Sequence, residues 1–273
     1  MASARWIASA CALALAAGGC GSDDEGGGTT TRATPPPPKV TTDVGALPAP
    51  AQRCSSQQGP ARVVRLRTRD GVALDGVEAG RGPAGAVLLH QSPSDLCDWW
   101  PFARALRQRG VHALMLDLRC NGKSGCPSQS TAFERPALDV EAAAAYLRRR
   151  GARSVTVAGA SYGGASALVA GAQLGGRVDG VVSLSGEPRL SPALDVPKVI
   201  DRLRVPLLLA VAPGDSYVSV AQTRAMLRAA GSKRKRMVVR PAGHGIELLL
   251  SADGQRLAPF FDTVVDALRA PSG

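Results

Sequence analysis

The chain has 273 residues, 45% of them hydrophobic and 20% charged. That balance supports a packed core, excludes wholesale disorder and suits one large domain. The formal net charge is +11, which raises an anionic partner, but 28 of the 33 basic residues are Arg beside abundant Ala and Gly, as GC-rich coding produces. There is no zinc-finger spacing, basic heptad helix or aromatic RNA-binding signature, so nucleic acid is not expected.

In chain order, Arg5 supplies a positive start, residues 6–17 form a short apolar run and small residues follow, the pattern of a signal peptide over 1–19. The run is shorter than the ~20 residues of a comfortable transmembrane helix. Leu15-Ala16-Ala17-Gly18-Gly19-Cys20 resembles the lipobox of bacterial lipoproteins, with Ala17 where Leu is usual. The resemblance implies lipidation of Cys20, attachment to the bacterial membrane and an extracytoplasmic location. Two acyl chains suffice for stable anchoring. Residues 20–61 are rich in Gly, Thr and Pro and poor in large apolar residues, the composition of a disordered tether. With Cys11 removed and Cys20 lipidated, Cys54, Cys97, Cys120 and Cys126 remain. In an oxidising compartment they predict two disulfides, with three possible connectivities.

From residue 62 a single domain is expected to run to 273. Residues 63–68 and 72–77 alternate around Asp70-Gly71, the pattern of a hairpin. Short apolar runs at 86–89, 113–118, 154–158, 178–184, 205–211 and 237–239 read as strands buried on both faces. Helices are predicted near 98–109, 135–150, 162–174, 192–203, 216–230 and 246–269. The alternation predicts an α/β fold, a mostly parallel twisted sheet with helices on both faces and the hairpin at one edge.

Gly159-Ala160-Ser161-Tyr162-Gly163 lies between a strand and a helix, the context in which G-x-S-x-G lifts a nucleophile clear of a sheet. Serine needs a base. Of three histidines, His112 opens a strand, His90 ends one, and His244 lies in a Gly-flanked loop after the last strand, free to reach Ser161. Asp215, following strand 205–211, can orient that base, with Glu187 as the backup acid. Asp117 is expected to brace its own loop.

The order Ser161, Asp215, His244, each after a strand, resembles the α/β-hydrolases across 62–273. His90-Gln91-Ser92 stands where that family has His-Gly and an oxyanion-hole residue, and Asp117-Leu118-Arg119-Cys120-Asn121-Gly122-Lys123-Ser124 resembles its Asp-x-Arg-Gly-x-Gly-x-Ser loop. The likeness implies a serine hydrolase, esterase-like, with backbone N–H groups of Tyr162 and Ser92 as oxyanion donors and neither metal nor cofactor. Gln91 and Cys120 replace glycines, so disulfides from Cys97 and Cys120 are expected to brace the rim. Family members often carry a large cap after the strand at 178–184. Only about 20 residues fill that interval here, so a minimal cap or none is expected, and a small, accessible ester as substrate. His90, Gln91, Trp99 and Trp100 are pocket candidates, the two tryptophans being equally suited to anchoring a helix in the core. A peptidase, a thioesterase or a non-catalytic module on the same scaffold are the alternatives, and a monomer is expected.

Overall fold

A computed structural model describes Cys54 and residues 61–127, 134–251, 254 and 257–269. The expected signal peptide, Cys20 and nearly all of the expected tether lie outside the described residues.

Eight strands form one sheet in the order β1-β2-β4-β3-β5-β6-β7-β8. β1 (Ala61–Arg67) and β2 (Ala73–Ala79) make an antiparallel hairpin, and β2 runs antiparallel to β4 (Val111–Leu116). From there every pairing is parallel, through β3 (Ala84–Leu89), β5 (Ser154–Ala160), β6 (Gly180–Leu184), β7 (Leu207–Val211) and β8 (Lys235–Val239). β3 to β7 lack polar alternation because both faces are covered, whereas β1 alternates and β8, expected to be buried on both faces, is a partly exposed edge strand with Val239 46% exposed. Within β3, Val87 and Leu89 enter one core with Leu147, Leu168 and Ile200, while Ala86 and Leu88 enter another with Trp99, Phe102 and Phe261.

Among the described residues five α-helices cover these faces: α1 (Trp100–Gln108), α2 (Pro136–Arg149), α3 (Tyr162–Leu174), α4 (Val220–Ala229) and α5 (Phe260–Arg269). Proline opens or nearly opens α1 and α2, where a missing N–H costs nothing. Ser219 and Gln222 form a capping box at α4.

Two predicted helices are not formed as expected. Residues 192–203 give only single 3-10 turns, Val196–Lys198 and Ile200–Arg202. Pro192 and Pro197 remove backbone donors there, and Ser191 takes the Leu194 N–H in a local turn. The span 246–269 divides into a 3-10 turn, Gly245–Leu249, and α5, with Gly254 at φ +70° and Pro259 between them.

The four remaining cysteines pair as Cys54–Cys97 and Cys120–Cys126. Cys97 lies in the 3-10 turn Leu96–Trp99 that follows β3, so the first bridge ties residue 54 to that loop. The second closes the loop after β4. There Cys120 has φ +62°, a left-handed conformation that explains the family's preference for glycine at this point.

Candidate active site

The site lies at the carboxyl edge of the parallel strands. Ser161 follows β5 with φ +50° and ψ −115°, a strained conformation outside the usual regions. Two glycines make this turn possible. A Cβ at Gly159 would collide with the Gly163 carbonyl, and a Cβ at Gly163 with the carbonyls of Leu89 and His90. α3 can therefore begin directly against the end of β3. The Ser161 N–H donates to the Leu184 carbonyl at 2.8 Å, fixing the turn to β6. Among the described residues the N–H groups of Tyr162 and Ser92 donate to no backbone or side-chain acceptor, so both are available at the positive end of α3 and beside it. Burial, reinforced by Glu134 and Asp139, pushes the Tyr162 phenol up to about 12, so it stays protonated.

His244 and Asp215 meet. Nδ1 of His244 lies 3.0 and 2.9 Å from the two Asp215 carboxylate oxygens. Nδ1 must carry the proton, because a carboxylate only accepts, and this leaves Nε2 as the basic nitrogen. The Asp215 side chain is fully buried and that of His244 is 21% exposed. Burial acts to raise the Asp215 pKa. The Ser185 hydroxyl, the Tyr217 N–H, His244 and the Val218 N–H outweigh it and hold the carboxyl below its ordinary value. Asp215 therefore remains ionised wherever His244 can act as a base. No hydrogen bond joins Ser161 Oγ to the imidazole among the described residues.

The His244 loop is held on three sides. The Gly245 N–H donates to Ser185 Oγ at 2.9 Å, and that same hydroxyl donates to Asp215. The Ile246 N–H donates to Gln91 Oε1 at 3.2 Å. The His244 N–H donates to Glu247 at 3.2 Å. Gly245 has φ +56°, and a Cβ on it would collide with Gln91 Oε1 and lie 3.5 Å from Ala160. The loop thus rests directly on the residue preceding Ser161.

Gln91 therefore contributes a side chain to the site, while its own N–H is committed to Asp98 at 3.2 Å. The other pocket candidates are placed differently. His90 is fully buried, with Nε2 accepting from the Leu118 N–H and Nδ1 donating to the Gln91 carbonyl. It pins two loops together and does not line a pocket. Trp99 is fully buried and donates Nε1–H to the Leu89 carbonyl, and Trp100 is buried in the same core. Both tryptophans anchor the entry to α1. Asp117 accepts from Leu96 and Lys123 N–H groups and braces its loop. Glu187 is half-buried. Burial raises its pKa, the charge of His244 lowers it and that of Asp215 raises it, with a net rise. It sits near the pair, and Asp215 holds the imidazole.

Two residues of the site carried no signal in the sequence. Ser185, at φ +52°, bridges the acid and histidine loops. The Tyr217 ring lies 4.6 Å from the imidazole although 66% of the residue is exposed.

This architecture is the α/β-hydrolase fold. The family model described as the alpha/beta hydrolase fold matches residues 87–199. An esterase of Pyrococcus furiosus superposes with a TM-score of 0.67 and 18% identity, over 82% of this chain and 96% of that one. The enol-lactonase of Burkholderia xenovorans gives 0.58 and 19%, over 76% and 100%. The dienelactone hydrolase of Anabaena variabilis gives 0.54 and 23%, over 70% and 89%. At these identities the likeness is one of fold. No curated protein matches the chain significantly.

Proposed function

We propose that this chain is a serine hydrolase that cleaves carboxylic esters through Ser161, His244 and Asp215, carried outside the cell on a lipid at Cys20. The observation that supports it most is the Asp215–His244 pair, with both carboxylate oxygens within 3.0 Å of Nδ1, on a loop packed against the residue before Ser161.

The reaction runs in two steps. His244 Nε2 takes the proton of Ser161 as Oγ bonds to the substrate carbonyl carbon, and the carbonyl oxygen becomes an oxyanion. The imidazolium is stabilised by Asp215, which stays ionised. The Tyr162 and Ser92 N–H groups receive the oxyanion, each worth roughly 3 kcal/mol. His244 returns the proton to the departing alcohol, leaving an acyl-serine. Water, deprotonated by the same nitrogen, then releases the acid and restores Ser161.

The interval between β6 and β7 forms no α-helix and no lid domain, which supports small or exposed esters as substrates. The similar structures named for lactones make cyclic esters worth including. The deciding experiment is labelling with a fluorophosphonate. The wild-type chain should label, and Ser161→Ala should not. Turnover on nitrophenyl acetate should fall by about 10⁶-fold in that variant. An unlabelled wild type, or a labelled variant, would reject the nucleophile. Parallel amide and thioester substrates then separate an esterase from a peptidase or thioesterase.

A further inference from the structure

The parallel strands β3 to β8 all begin at one edge of the sheet, opposite the candidate site. Each is preceded within three residues by an arginine: Arg81, Arg109, Arg153, Arg177, Arg204 and Arg234. The helices return to the same edge and add cations such as Arg107 and Arg228 in their last turns. Compensation of helix dipoles accounts for cations at helix ends, since each carboxyl terminus carries about half a negative charge. It does not account for Arg81, Arg153 and Arg236, which are exposed and have no acidic partner among the described residues. Carboxylates neutralise part of the edge, Asp262 at Arg109 and Glu141 at Arg177. At the opposite edge the buried Asp117 and Asp215 and the half-buried Glu187 stand among Lys123, Arg189 and Arg240. The base is therefore the edge at which every parallel strand opens beside an arginine, and carboxylates such as Asp179 and Glu78 offset only part of that charge.

The geometry points to this base as a docking surface for an anionic lipid bilayer, with the candidate site facing away from the membrane. The six strand starts span about 24 Å at ordinary strand spacing, and so present positive charge over a broad area suited to a plane of headgroups. The sequence adds a reason to choose a bilayer, the lipobox-like segment ending at Cys20. The chain enters the described domain at Cys54, bridged to Cys97 beside the catalytic edge. The 33 residues between Cys20 and Cys54 reach at most ~110 Å. A domain of this size is about 40 Å across, so an anchor at Cys20 permits docking by the far edge. The facing of the site rests on the function proposed above; the docking itself does not.

The test uses the full chain carrying Cys20→Ser, so that acylation cannot contribute, and phosphatidylcholine vesicles with and without phosphatidylglycerol. Binding should be at least about tenfold tighter with the anionic lipid and should weaken as salt rises. Arg81→Glu/Arg153→Glu/Arg236→Glu should abolish the preference, and the same three positions as Lys should keep it. Equal binding to both vesicles, or a preference insensitive to salt, overturns the proposal even if the charge-reversed variant fails to fold. Tighter binding to duplex DNA than to anionic vesicles overturns the bilayer as partner. Fluorophosphonate labelling should proceed at the same rate on vesicles as in solution. Labelling lost only on vesicles would reverse the orientation. A chain that never labels, yet docks, would sink the catalytic reading and leave the docking surface standing.

Discussion

At the scale of single residues, Ser185 links the two loops on which the proposed chemistry depends. Its hydroxyl donates to Asp215 and accepts from the Gly245 N–H. Removing a hydrogen bond to the charged form raises the pKa of a carboxyl. Ser185→Ala should therefore let Asp215 take up a proton at higher pH. Activity lost to protonation of Asp215 should set in at higher pH than in the wild type, with kcat down roughly tenfold at neutral pH. An unshifted profile would reduce Ser185 to a packing residue. Gln91 and Gly245 form a second pair. Gly245→Ala places a methyl into Gln91 Oε1 at a left-handed backbone position. Activity should fall steeply in the wild type and less in a Gln91→Gly background, a coupling that a double-mutant cycle measures. The meeting of Asp215 with His244 was legible because both follow strands that end at one edge, where Ser161 also follows a strand. Ser185 and Tyr217 were not, since their roles arise only where separate loops meet. Trp99 and Trp100 stayed ambiguous because an aromatic beside an amphipathic helix reads alike as pocket wall or core.

At the scale of elements, the edge hairpin is fastened to the sheet by a buried carboxylate. Glu78 on β2 accepts from Tyr146 at 2.8 Å and Arg62 at 3.1 Å, and lies 2.7 Å from Nε2 of His112 on β4. Burial acts to raise its pKa, but hydrogen bonds from His112 and Tyr146 and the Arg62 charge bring it down to about 2 from an ordinary 4.5. A depressed carboxyl stabilises the fold above its unfolded pKa and ceases to do so as pH falls through the folded one. Thermal stability should therefore decline between about pH 4.5 and 2, and this part of the decline should vanish in Glu78→Gln. The variant should lose about 3 kcal/mol at neutral pH, because it strips the charge facing Arg62 and Arg150, the latter 3.4 Å away. A calorimetric melt series across pH checks both. The Cys54–Cys97 bridge spans 43 residues and joins the hairpin's entry to the α1 side of the core. Cys54→Ala/Cys97→Ala should cost about 4 kcal/mol by loop entropy, read as a lower melting temperature. Element types were legible from continuous apolar runs and Gly or Pro boundaries. The two misread helices were not, because helical spacing of apolar residues at 192–203 and 246–269 also fits turns packed onto a core, and the prolines and Gly254 outweighed it.

For the whole molecule, the parallel order of the strands places all the proposed chemistry at one edge and leaves it without a lid domain between β6 and β7. An accessible site of this kind should favour short-chain nitrophenyl esters over long-chain ones. A pronounced preference for long acyl chains in kcat/KM would contradict that accessibility. The α/β-hydrolase fold itself was legible because strand and helix alternate through most of 62–273. The substrate was not, since the side chains around the proposed site, among them Gln91, Glu187 and Tyr217, come from separate loops that only the fold brings together.

The close fit of Gln91 against Gly245 constrains how this lineage can diverge. With the glutamine in place, any side chain at 245 meets its amide, and while 245 stays glycine the amide keeps a backbone donor to satisfy. A change at 245 meets two obstacles, the amide of Gln91 and a left-handed backbone that glycine alone adopts freely, while a change at 91 forfeits one acceptor. Position 245 should consequently tolerate replacement less than position 91 does, leaving the glycine as the more durable of the two partners.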